Sequence, residues 1–199
     1  MLQIKVYSDY VCPYCFLGEQ VLEKALAGME EQVQVEWMPF ELRPEPTPTL
    51  KPEEDYLQTT WKQSVYPMAE QLGIAIVLPK VSPQPYTHLS FEGYQFAKEQ
   101  GKGAAYTHRM FTAFFQEEQD IGDVEVLTRL AEEVGLEGED FRQALQTRRY
   151  KEVHQQALRH ATQEMGVRAV PTFLVGNKVV RGLLREEDLR KLIKQELEA

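Results

Sequence analysis

The chain has two cysteines, and they stand two residues apart in Ser8-Asp9-Tyr10-Val11-Cys12-Pro13-Tyr14-Cys15. Thiols at this spacing can close and reopen as a disulfide, supply half of a zinc site, staple a short loop, or lie inert in a core. Zinc asks for four ligands, and the four histidines (His88, His108, His154, His160) form no matching cluster along the chain. No metal is therefore assigned. A bridge across two residues closes too short a loop to stabilise much. Dithiol–disulfide exchange is the chemistry that uses both sulfurs. It is favoured further if a strand precedes the pair and a helix follows it.

The flanking sequence predicts that setting. Leu2–Ser8 alternates as a strand does, and residues 13 to about 28 carry a helical apolar face with Cys15, Leu22 and Ala25. Pro13 suits the first helical position, where its missing N–H costs nothing. Cys12 is then the N-cap, its sulfur facing the free N–H groups of Tyr14 and Cys15. The positive helix end favours a thiolate there. Cysteines so placed have pKa values of roughly 3.5–7.5, against about 8.5 unperturbed. Cys12 is expected to be the nucleophile and the more exposed sulfur. Cys15, inside the first turn, is placed to resolve a mixed disulfide formed at Cys12.

Val33–Phe40 alternates again, and strand–helix–strand order favours a parallel pair with a right-handed crossover. Four prolines in 43–52 then end regular structure. Helices are predicted at 52–72, 86–101, 103–117, 123–134, 139–146 and 149–165, with glycines near most stops. Strands return at Thr172–Val175 and Lys178–Arg181, joined through Gly176-Asn177. A helix at Glu186–Leu197 closes the chain. The order is βαβ, a helical block, then ββα. Residues 1–45 and 166–199 are expected to share one mixed sheet, with 46–165 inserted between them.

Composition narrows the partners. Of 199 residues, 43% are hydrophobic, enough for a core without staples. The net charge is −9 with no basic block, so neither nucleic acid nor an anionic membrane surface is expected as partner. No apolar run approaches the roughly 20 residues of a membrane span. Met1 leads straight into a strand pattern with no signal-like segment, so a cytoplasmic location is expected. No oligomeric state is assigned.

The segments "SDYVCPYCFLG" and "GVRAVPTFLVGNKVVRG", with the helical block between them, resemble the DsbA-like thiol–disulfide oxidoreductases. Within that family, "FELRPEP" and "FFQEEQDIGDVEVLTRLAEEVGL" are similar to the FrnE-like branch. The resemblance implies an α/β thioredoxin fold with a large helical insertion between its βαβ and ββα halves. It implies a protein-disulfide oxidoreductase/isomerase with a redox-active Cys12–Cys15 disulfide and no bound cofactor. Glutathione is a candidate redox partner, and disulfide- or thiol-containing proteins or small thiols are the substrates. Pro171 would be a cis-proline facing the thiols. Val170, before it, would pair with an extended substrate, while Pro13 and Tyr14 contact it. X-Pro bonds are cis in only about 5–6% of cases, so that assignment rests on the resemblance. A redox sensor acting without turnover and a glutathione-dependent small-molecule isomerase are the alternative functions.

Two departures from the family stand out. The intervening pair is Pro-Tyr, with no imidazole between the thiols, and the position six before Cys12, where such enzymes often bury an acid, is Val6. Asp9 is the nearest acid, either a turn residue or a proton carrier. His88 is expected to pack at a helix start, and His108, His154 and His160 to lie on helix surfaces. Phe111, Phe114 and Phe115 are expected to form core. Tyr14 is expected to be exposed.

Overall fold

The computed structural model describes residues 1–199. Four strands form one mixed sheet in the order β2-β1-β3-β4. β1 (Leu2–Ser8) and β2 (Val33–Pro39) pair in parallel, with Val6 opposite Trp37. The connection is α1 (Pro13–Leu26), as the alternation of patterns predicts. β3 (Thr172–Val175) runs antiparallel to β1, setting Phe173 opposite Val6, and β4 (Lys178–Arg181) is the antiparallel edge. Gly176 supplies the positive φ of 56° at the β3–β4 turn.

Between β2 and β3 lies the helical block. α2 (Asp55–Thr60) continues through a π-helical stretch, Trp61–Val65, into α3 (Tyr66–Leu72). α4 (His88–Glu99), α5 (Gly103–Phe115), α6 (Val124–Glu133) and α7 (Gly138–Gln146) follow. α8 (Lys151–Arg159) ends in a second π-helical stretch, His160–Glu164. α9 (Glu186–Glu198) closes the chain and packs beside α1. The sequence reads 52–72 and 149–165 as uninterrupted helices, because a single π turn is a local bulge that keeps the chain helical on both sides. No helix is long and apolar enough to cross a membrane.

One cluster of 41 buried residues runs through sheet and helical block together. Phe111, Phe114 and Phe115 are its centre, fully buried as expected. Phe16 of α1 stacks on Phe115 of α5 at 5.6 Å, and Trp37 of β2 meets Phe111 edge-on at 6.0 Å. Offset and edge-on aromatic pairs of this kind add about 0.5–1.5 kcal/mol each beyond their buried area. They fix α5 against both the cysteine-bearing α1 and the strand β2.

His154 departs from its expected place on the surface. It is 2% exposed, its Nε2 lies 2.5 Å from Glu41 Oε1, and its ring stacks on Phe91 at 5.4 Å. The neighbouring Val153 is 46% exposed. Helix α8 thus turns its histidine inward and its valine outward, because a carboxylate and an aromatic face wait beneath it. His88 starts α4 and is half-buried, as expected, and His160 pairs with Glu164 one turn on.

Candidate active site

Cys12 is the N-cap of α1, with extended backbone (φ −89°, ψ 113°), and Pro13 occupies the first turn. The local sequence dictates this: Pro13 starts the helix, and the Cys12 N–H is held by the Asp9 carbonyl at 3.1 Å. The sulfur, however, does not cap the helix. The N–H groups of Cys15 and Phe16 turn to the Cys12 carbonyl at 3.1 and 3.3 Å, and the Cys12 thiol points to the Val170 carbonyl at 3.8 Å. Both cysteines are free thiols and both are buried, 4% exposed at Cys12 and 1% at Cys15. Cys12 is the more exposed of the two, as the sequence anticipates, but only slightly, because the helical block covers both. Burial pushes the Cys15 thiol well up, and the Cys12 sulfur beside it adds to the rise.

The peptide bond between Val170 and Pro171 is cis. Pro171 is buried against α1, Val170 is half-buried beside Cys12, and β3 pairing begins only at Thr172. The segment is tied at both ends: the Thr172 hydroxyl donates to the Ala169 carbonyl at 2.7 Å, and the Gly182 N–H to the Pro171 carbonyl at 2.8 Å. Its close approach to α1 depends on Gly18. A Cβ there would come within 3.2 Å of the Phe173 ring and 3.4 Å of Pro171 Cγ. We expect Gly18→Val to push the Pro171 segment off the thiols, with a stability loss of about 1–3 kcal/mol seen in urea unfolding. Exchange activity should fall by more than the change in folded fraction accounts for.

Above the thiols lies a cavity of ≈ 230 Å³. Cys12, Pro13, Tyr14 and Val170 all line it, while Cys15 and Pro171 sit behind them. The far wall comes from the helical block: Leu57, Thr60 and Trp61, with Gln84 and Thr87. Tyr14 is not the free exposed ring that the sequence suggests. Its hydroxyl is 2.7 Å from Ser64 Oγ in the first π-helical stretch, which ties the start of α1 to the cavity wall. A wider groove of ≈ 940 Å³ lies beyond Trp61, among Lys62, Tyr66 and Lys80, and holds no thiol.

Asp9 is the residue whose weight the sequence understates. It is 1% exposed and lines the same cavity. The Leu42 N–H donates to Oδ2 at 2.8 Å, and Oδ1 has no partner. Loss of solvent pushes its carboxyl up to about 7, and the Leu42 hydrogen bond offsets only part of the rise. Val6, six residues before Cys12, is plain core. The only signal in sequence is an acid in a tight turn between a strand and a helix that Pro13 starts.

Two thiols at a helix start, a cis-proline segment against one of them and a buried acid alongside make an arrangement suited to disulfide exchange. Comparison with known proteins agrees with the fold. The DSBA-like thioredoxin domain matches residues 3–194. YwbO of Bacillus subtilis (strain 168), a protein described as uncharacterized, is 54% identical over 196 residues, covering 98% of this chain and 97% of its own. Among solved structures, the probable DsbA oxidoreductase SCO1869 from Streptomyces coelicolor superposes with a TM-score of 0.81 at 23% identity, over 100% of this chain and 91% of that one. The cytosolic disulfide reductase DsbM from Pseudomonas aeruginosa, solved with GSH, gives 0.75 at 20% identity over the whole of both chains. The match of sequence over nearly the full length makes this chain a member of the DsbA-like thioredoxin-domain family.

Proposed function

We propose that this protein is a dithiol–disulfide exchange enzyme, with Cys12 as the attacking sulfur and Cys15 as the resolving one. The observation that carries this is the position of the Cys12 sulfur, facing a cavity and set against the peptide before Pro171. Cys12 thiolate attacks one sulfur of a substrate disulfide and releases the other as a thiolate, which takes up a proton. Cys15 then gives its proton to Asp9 and attacks the Cys12 sulfur. The second substrate thiol leaves, protonated from Asp9, and a Cys12–Cys15 disulfide remains. Two electrons have passed to the substrate. A cytosolic glutathione poise of about −220 to −320 mV, depending on method, returns many such pairs to dithiols. Reduction or isomerisation is therefore the favoured direction in a cytoplasmic setting.

The site's enclosure bears on the substrate. A buried sulfur in a cavity of ≈ 230 Å³ is reached by small disulfides and slender, extended segments rather than by disulfides flush with a folded surface. Val170 offers main-chain groups outside the sheet register for strand addition. Glutathione fits the role of redox partner, and the DsbM likeness supports it. On this reading residues 1–45 and 166–199 form the thioredoxin-like unit, and 46–165 the inserted unit that roofs the thiols. Placement in the FrnE-like branch rests on the segments around 40–46 and 114–136.

The test is a paired assay: insulin reduction, and reduction of a mixed disulfide of glutathione and a small thiol, with NADPH-coupled glutathione recycling. Turnover is expected on both, faster on the small disulfide. A pair that oxidises and reduces stoichiometrically, yet turns over neither substrate, would replace the enzyme with a redox switch.

A further inference from the structure

Away from the thiols, α1 and α5 bring a second group of chemistry-bearing side chains together. Glu19 and Glu23 stand four apart on α1 and so share one face. His108 lies on the surface of α5, as expected, and from there sets its Nδ1 2.8 Å from Glu19 Oε1. One donor atom from each of the three lies within 4.8 Å of the others. Glu19 forms the floor, 9% exposed at its side chain, while Glu23 and His108 form the open rim. A hollow of ≈ 270 Å³ adjoins them, walled by Leu22, Trp37 and Ala104.

We propose that Glu19, Glu23 and His108 bind a divalent first-row cation, which clamps the cysteine-bearing helix to the helical block. Two carboxylates and an imidazole are a donor set for borderline cations such as zinc. In a tetrahedral zinc set with bonds of about 2.0–2.2 Å, donors on one ion lie about 3.3–3.6 Å apart. Binding therefore asks Glu23, which is free at the rim, to swing inward by roughly 1 Å, and the Glu19–His108 pair to open slightly from 2.8 Å. Glu19 is held ready by a neighbour: Gln20 Nε2 donates to its Oε2 at 2.7 Å and leaves Oε1 facing His108. Outer partners of this sort fix ligand orientation and typically contribute 10–100-fold in affinity. Water in the hollow fills the remaining coordination positions.

The test uses the full chain carrying Cys12→Ser and Cys15→Ser, so that no thiol competes for metal. Calorimetric titration with zinc chloride should show one equivalent bound and a rise in melting temperature that grows with zinc concentration. His108→Ala and Glu23→Gln should each weaken binding by about tenfold or more, whereas Glu31→Gln should leave it unchanged. Circular dichroism checks that each variant folds, and Glu23, being exposed, is a substitution the fold tolerates. Absence of saturable binding overturns the proposal, and so does binding that His108→Ala and Glu23→Gln leave intact.

Discussion

Cys12→Ser is expected to reduce disulfide exchange to background, whereas Cys15→Ser is expected to trap substrate on the protein. The asymmetry follows from position. Cys12 faces the cavity at the head of α1, and Cys15 sits behind it, more deeply buried and held protonated by loss of solvent. Without Cys12 nothing can reach a substrate disulfide. Without Cys15 the first attack still proceeds, but the mixed disulfide waits for an external thiol. Mass spectrometry of the Cys15→Ser protein after exposure to oxidised glutathione should show one glutathione adduct, located at Cys12. Equal residual turnover in the two variants would remove the assigned division of labour.

Asp9→Asn should be the most informative change that leaves both sulfurs in place. In the wild type, the rate of resolution should climb as pH rises through about 7, where the Asp9 carboxylate forms and can accept the Cys15 proton. The asparagine cannot accept it, so resolution should slow by about 10²-fold near neutral pH and recover only at alkaline pH. Adduct formation at Cys12 should be much less affected, which separates a proton carrier from a residue that merely holds the turn.

The same substitution has a signature in stability, opposite in sign to that of a salt-bridged acid. Asp9 has its carboxyl pushed up from 3.8 to about 7 in the folded chain. Between those pH values the native state holds a proton that the unfolded state has released, so stability falls as pH rises through this window. The loss is on the order of 4 kcal/mol when complete. Asp9→Asn should remove that slope. Relative to wild type, the variant should gain stability from about pH 4 upward and level off above about pH 8. Urea unfolding across that range measures it, and parallel curves for the two proteins would show that Asp9 is not buried as a neutral acid.

Local signals carried most of the fold. Pro13 starting α1, the alternation in Leu2–Ser8 and Val33–Pro39, and Gly176 at the hairpin are short-range features, and short-range physics places them. The thiols were legible for the same reason. What could not be read was the roof. Leu57, Thr60, Trp61 and Ser64 come to the site from the far side of a proline-rich exit, and nothing in their own spacing marks them as cavity wall. The inward turn of His154 was hidden because Glu41 and Phe91, its partners, lie far away in sequence. Asp9 looked like an ordinary turn acid, since burial is imposed by Leu42 and Thr87 arriving from elsewhere. In each case the missing information is a long-range contact, not a propensity.

The buried cluster that runs without a break from the sheet into the helices has a consequence for how the protein discriminates. Units joined by a large apolar seam do not swing apart as loosely docked ones do. On the proposed function, the mouth over the sulfur is then a firm aperture rather than a jaw, and selection would fall to what can thread through it, with most of the suppleness brought by the newcomer.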